Sequence, residues 1–189
     1  MIAFNLARLP RIEFDAESLA KLPGCVRALG TRILLVTGAR SFMASPHWSR
    51  LRTGLVAEGI GWTHVEVAGE PSPALVDDTV RTLRGEKWDC VVGIGGGSAL
   101  DAAKAIAGLL LPGNSVLDHL EGVGPELPYR GPSVPFIAVP TTAGTGSEAT
   151  KNAVLSLHGA EGYKKSFRDD KLVAEWAIVD PDLLATCPP

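Results

Sequence analysis

The chain runs to 189 residues, 46% apolar and 21% charged, with a formal net charge of −3, which suits one globular domain able to bury a core. Its 18 lysines and arginines do not gather in one stretch, which argues against a nucleic-acid surface, and no apolar run approaches the roughly 18 residues of a membrane span. Cys25, Cys90 and Cys187 are odd in number and far apart, and residues 1–10 lack a signal-peptide layout, so a reduced, cytoplasmic protein is the expectation.

In chain order, Phe4 to Phe14 predicts an edge strand or hairpin, with Pro10 restricting its pairing. Arg32 to Thr37 (RILLVT) reads as a buried strand followed by Gly38 and a polar turn. Arg50 to Glu58 reads as a helix stopped by Gly59, and Thr63 to Val67 as a second strand. After a break at Gly69 to Pro73 come a helix over Ala74 to Arg84, ended by Gly85, and a third strand over Asp89 to Ile94. That strand runs into Gly95, Gly96 and Gly97, and Ser98 to Leu111 then predicts a strongly apolar helix ended by Pro112 and Gly113. Val134 to Val139 is a fourth strand, closed by Pro140 and a second glycine-containing turn. Asn152 to Leu157 and Tyr163 to Phe167, joined by HGAEG, read as a β-hairpin, and Val173 to Val179 as a final strand. Asp180-Pro181 has the chemistry of a helix start, only about two turns before Pro188-Pro189, a layout expected of a truncated chain.

Alternation of short β-branched runs with helical stretches predicts an α/β fold, a parallel sheet with helices on both faces. Ligands in such folds sit beyond the carboxyl ends of the strands, and both glycine-containing turns fall there.

The first turn, Gly93-Ile94-Gly95-Gly96-Gly97-Ser98, lets backbone N–H groups face an anion without a Cβ in the way. The helix that follows favours negative charge at its start, which suits the pyrophosphate of a dinucleotide. The spacing departs from G-x-G-x-x-G, because Ser98 stands where the third glycine would fall. Asp118, about twenty residues on, lies in a loop and is rejected as a ribose ligand. A second reading of the same residues needs no ligand: Ser98 and Asp101 have capping-box spacing, and Lys104 is placed for an i,i+3 ion pair with Asp101. The second turn, Pro140 to Glu148 (PTTAGTGSE), offers threonine hydroxyls to a ribose or phosphate. It also reads as a helix N-cap at Thr145 or Ser147. His47, His64, His119 and His158 lie far apart, in or beside polar loops or exposed strands, and read as surface residues.

Together GIGGGSALDAAKAIA and PTTAGTGSEAT resemble the two signatures of the iron-containing (group III, metal-dependent) alcohol dehydrogenases. The likeness extends from RILLVT to AIVDPDLL. The first signature also resembles glycerol dehydrogenases and, loosely, dehydroquinate synthases. The resemblance implies a Rossmann-like dinucleotide-binding domain over residues 1–189, with the family's all-helical metal-binding domain absent. It implies that Gly96, Gly97 and Ser98, beside Gly95, hold the pyrophosphate and that Asp101 borders the nicotinamide end. It assigns Thr141, Thr142 and Thr145 to the adenosine and ribose, Asn152 and Lys164 to further cofactor contacts, and Leu183 to the adenine.

Two departures carry information. NAD-preferring members of the family place an aspartate after the first of these strands, where it repels a 2′-phosphate. Here Gly38 stands there, followed by Ala39, Arg40 and Ser41. Loss of that carboxylate, with Arg40 and Ser41 able to pair with phosphate, predicts that NADP is accepted and favoured over NAD. The family's EPNP stretch reads Glu70-Pro71-Ser72-Pro73, which puts an asparagine contact in doubt. By resemblance, a divalent metal (Fe or Zn) belongs to the full-length form, held by an aspartate and three histidines of the following domain. The expected activity is hydride transfer between NAD(P)H and an alcohol or aldehyde, with cofactor binding but poor turnover for this chain alone. The alternative is a stand-alone, non-catalytic nucleotide-binding module; a polyol dehydrogenase is a third reading. No nucleic-acid or membrane partner is expected, and the N-terminal edge segment suits a homodimer.

Overall fold

A computed structural model describes residues 8–185. Cys187, Pro188-Pro189 and the Phe4–Ala7 part of the predicted N-terminal strand lie outside those residues. The described chain opens with strand β1 (Arg11–Phe14), a 3-10 turn (Ser18–Lys21) and a short helix α1 (Leu22–Arg27). Then follow β2 (Arg32–Gly38), α2 (Pro46–Ala57), β3 (Gly61–Val67), α3 (Pro73–Leu83), β4 (Cys90–Gly95) and α4 (Gly97–Leu109). The rest comprises β5 (Phe136–Pro140), the hairpin strands β6 (Asn152–Leu157) and β7 (Tyr163–Arg168), and β8 (Trp176–Val179). No described helix is long and apolar enough to cross a membrane.

Six strands form one sheet in the order β1-β8-β5-β4-β2-β3, and every neighbouring pair is parallel. Within the described residues the predicted N-terminal strand is an edge strand, paired with β8. From β2 the chain winds one way to β3, then returns to β4 and continues the other way. The reversal lies between β2 and β4, at whose carboxyl ends stand Gly38 and Gly95. Such a switch point leaves a crevice, because the connections leave the two strands toward opposite faces of the sheet.

Alternation along the buried strands divides the core. Leu34, Val36, Val91, Phe136 and Ala138 face α3 and α4, whereas Ile33, Leu35, Val92, Ile94, Ile137 and Val139 face α1 and α2. Helix ends follow local chemistry. Pro46 and Pro73 occupy first-turn positions where no N–H is needed, Ser72 Oγ accepts from Leu75 N at 3.1 Å to cap α3, and Gly59 ends α2 with φ of 65°. Ser72, at the position where the resemblance implies an asparagine, is thus engaged as a cap.

The antiparallel β6–β7 hairpin does not join the sheet. It lies across the outer face of α4, so that helix is covered by the sheet on one side and the hairpin on the other. Every residue from Ala102 to Leu109 is buried. Small side chains permit the close approach. A Cβ on Gly93 would lie 2.8 Å from Ala103 Cβ and 3.1 Å from the Phe136 ring, and one on Gly108 would lie 2.6 Å from Leu172.

Two expectations are corrected. Asp180-Pro181 does start a turn, with Asp180 accepting from Asp182 N at 3.0 Å, but over Pro181–Leu184 it is a 3-10 turn and not an α-helix. His119 is half-buried and not a surface residue: it stacks on Phe167 with ring centroids 5.3 Å apart and meets the edge of Tyr129.

Gly93→Ala is expected to destabilise the fold by about 1–3 kcal/mol, the usual range for overpacking a tight contact. Urea unfolding measures this, and an unchanged midpoint would contradict the packing of α4 on β4.

Candidate functional site

The glycine turn leaves β4 at the switch point. Gly96 has extended backbone geometry and is the N-cap of α4; no side chain caps the helix. The first-turn amides, which a helix leaves without internal partners, are therefore not closed off by a local side chain. The capping box expected between Ser98 and Asp101 does not form, because Asp101 faces another loop.

That loop is the threonine turn, residues 141–150. It is a series of turns and not the start of a helix. Thr141 N donates to Gly95 O at 2.9 Å, which ties its beginning to the end of β4. It then passes close over the glycines. A Cβ on Gly96 would meet Thr142 Oγ1 at 3.2 Å, and one on Gly97 would meet Thr145 Cγ2 at 3.1 Å. Larger residues at 96 and 97 would fill the space between the two turns.

A cleft opens on either side of this contact. The first, about 380 Å³, is bordered by Gly97, Ser98 and Asp101 of α4, by Thr145 and Thr150 of the loop, and by Asn152 and Lys164 of the hairpin. The second, about 250 Å³, lies between the Ser41–His47 stretch that enters α2, Thr141 and Thr142, and Leu183 after β8. The threonine loop is the ridge between them. Six of the sequence-predicted residues thus line the first cleft and four (Ser41, Thr141, Thr142 and Leu183) the second. Gly38, Arg40, Gly95 and Gly96 line neither. Gly95 nonetheless abuts Gly38, since a Cβ there would lie 3.3 Å from Gly38 N. Gly38 itself has open space where its Cβ would be, and Arg40 and Ser41 are exposed.

Lys104 departs most from expectation. It does not pair with Asp101 on the helix surface; it is completely buried, and its ammonium donates to Ser147 O at 2.6 Å, Thr150 O at 2.8 Å and Asn152 O at 2.8 Å. Burial pushes its pKa down to about 8, against the raising effect of Asp101 and Glu148. Asp101 instead accepts a hydrogen bond from Ser147 Oγ. Burial raises the Asp101 carboxyl above the usual carboxylate range, and the Ser147 bond opposes that shift. Lys164 donates to Glu70 Oε1 at 2.7 Å, and this hydrogen bond is the main cause of the lowered Glu70 pKa. Glu70, Ser147 and Thr150 line this cleft although the sequence assigns none of them to a ligand. Lys104 did leave a signal, as the single charge in the apolar run from Ala102 to Leu111.

Among the described residues no three His, Cys, Asp or Glu side chains converge as a metal site requires. These residues do not form a site for the divalent metal that the resemblance implies, whereas the uncapped first-turn amides and the cradle over Gly96 and Gly97 suit an anion.

Comparison with known proteins agrees in direction. The family model described as iron-containing alcohol dehydrogenase matches residues 10–181. Long-chain-alcohol dehydrogenase 1 of Geobacillus thermodenitrificans is 38% identical over 87% of this chain and 41% of its own length. The NAD-dependent methanol dehydrogenase of Bacillus methanolicus is 35% identical over 87% of this chain and 44% of its own length. A crystal structure of sulfoacetaldehyde reductase from Bifidobacterium kashiwanohense in complex with NAD+ superposes with a TM-score of 0.83 at 29% identity, covering 100% of this chain and 49% of that one. The chain thus spans less than half the length of these relatives.

Ser147→Ala removes the donor to Asp101. The carboxyl should then titrate at higher pH than in the parent chain, as read by carboxyl-carbon NMR. An unmoved Asp101 titration would contradict the bond.

Proposed function

The chain belongs to the iron-containing alcohol dehydrogenase family, and on that premise we propose that residues 1–189 form a domain that binds a nicotinamide dinucleotide across the two clefts. The observation that carries this reading is the glycine turn at the β2–β4 switch point, with a cleft on each side and the threonine loop between. A dinucleotide has the matching form: two nucleoside lobes joined by an anionic pyrophosphate. In the proposed pose the amides of Gly96, Gly97 and Ser98 donate to the pyrophosphate. Asp101, Asn152 and Lys164 border the nicotinamide riboside and Ser41, Thr141, Thr142 and Leu183 the adenosine; Thr145, expected with the adenosine-side threonines, lines the first cleft and is placed with the nicotinamide riboside.

The bound cofactor would supply the hydride acceptor or donor for an alcohol or aldehyde, the substrate classes in these relatives' names. The contribution of this chain is to bind and orient that cofactor. Binding without appreciable turnover is the behaviour proposed for this chain alone. Pairing with a second copy is proposed for the outer edge of β1, where Ile12 and Phe14 are 55% and 72% exposed.

NADP is proposed as the favoured form. The open space at Gly38 leaves room beside the adenosine cleft, no carboxylate stands at that position, and Arg40 and Ser41 follow it. Titration of nicotinamide fluorescence should give saturable binding of both reduced cofactors, NADPH the tighter. Gly38→Asp should weaken NADPH about tenfold, as a carboxylate is brought toward a phosphate, while leaving NADH nearly unchanged. Tighter NADH binding by the parent chain would overturn the NADP preference alone; a folded chain that binds neither would overturn the dinucleotide reading.

A further inference from the structure

Lys104 is a fully buried lysine on α4 that does not line the first cleft. Its three shortest hydrogen bonds go to three backbone carbonyls, those of Ser147, Thr150 and Asn152, at 2.6, 2.8 and 2.8 Å. An ammonium has three N–H donors and no acceptor, so these bonds use its full capacity. The carbonyls span the second half of the threonine loop and the first residue of β6. The beginning of the loop is held separately, by Thr141 N on Gly95 O. The loop is therefore fixed at two places, and both anchors belong to the β4–glycine turn–α4 unit that would present its amides to the pyrophosphate.

Resting on the dinucleotide reading above, we propose that Lys104 is a positioning residue: it holds the threonine loop at a set distance from the glycine turn and so determines cofactor affinity without touching the cofactor. Ser147 shows the economy of the arrangement. Its carbonyl accepts from Lys104 and its hydroxyl donates to Asp101, one turn earlier on the same helix. A shift of the loop would change the gap between Thr145 and Gly97, where a Cβ would already be 3.1 Å from Thr145 Cγ2.

This role has a pH signature. The charged groups facing the ammonium are Asp101 on α4 and Glu148 on the loop, and both favour its charged form; desolvation outweighs them and brings the pKa down to about 8 from 10.5. Below pH 8 the full set of three bonds is present. Above it the neutral amine keeps two N–H donors and one carbonyl loses its partner, so the loop loosens and affinity falls. Stability responds with the opposite sign. Between pH 8 and 10.5 the unfolded chain binds more protons at this position than the folded chain, so this lysine's contribution to stability rises with pH. Affinity falling while that contribution rises is a pattern that a merely structural lysine would not produce.

The test uses the full chain with Lys104→Met and Lys104→Arg, read by NADPH titration, hydrogen exchange of the ligand-free protein, and urea unfolding. Lys104→Met should raise the NADPH Kd at pH 7 about tenfold or more, since three carbonyls, that of Ser147 in a buried bond, lose a charged donor. Exchange should quicken at 147–152 more than at the glycine turn. Parent affinity should fall between pH 7 and 9.5, and the Lys104→Met profile should be flat there. Lys104→Arg, which keeps the charge, should bind more tightly than Lys104→Met and lose the pH dependence. If Lys104→Met does not fold, the parent and Lys104→Arg pH profiles decide. A parent chain that binds NADPH and variants that bind equally well would overturn the positioning role and leave the dinucleotide reading standing. Failure of the folded parent to bind would overturn that reading, and the inference with it.

Discussion

The structure depends on how closely α4 approaches the sheet. Gly93 gives β4 no side chain where Ala103 sits, and the helix presents alanine, glycine and leucine to its neighbours. With the helix seated this deep, the hairpin can close over its outer face, where Gly108 accommodates Phe167 and Leu172. A helix between two layers has almost no solvent-facing side, which explains its apolar sequence from Ala102 to Leu109. The same seating aims its N-terminus at the crevice between β2 and β4. Core packing and the candidate site are thus consequences of one contact.

Burying α4 on all sides also makes its single lysine costly, because a charged ammonium loses its hydration there. Ser147, Thr150 and Asn152 offset that loss with their carbonyls, and Asp101 and Glu148 contribute favourable charge. In return the lysine ties together three elements: α4, the threonine loop and the hairpin. The loop's backbone is shaped by this demand. With the Ser147 and Thr150 carbonyls turned toward Lys104, the segment forms turns and not the helix that its capping residues favour.

Much of this was legible in the sequence because the central strands are buried on both faces. β2, β4 and β5 read as continuous apolar runs ended by glycine or proline, and their bounds fall within a residue or two of the expected ones. The glycine turn and the hairpin were equally plain. Tertiary cover was not. An i,i+3 pairing of Asp101 with Lys104 assumes that the helix face meets water, whereas the hairpin covers it. His119 reads as a surface residue because nothing local shows that its segment folds back on Phe167, through the Leu120–Phe167 bridge and the Glu121 N–Ser166 O bond. For the site, residue type and spacing identified much of the lining of both clefts, while Glu70, Ser147 and Thr150 depend on contacts across 46 to 94 residues.

The central claim is that one ligand spans both clefts over the glycine turn, and amide chemical-shift mapping of the isotope-labelled chain with NADPH tests it most directly. The account predicts concerted shifts at Gly96, Gly97 and Ser98, at Thr145 and Lys164 on one side, and at Thr142 and Leu183 on the other, saturating together. Shifts confined to one cleft, or a glycine turn that does not respond, would contradict it.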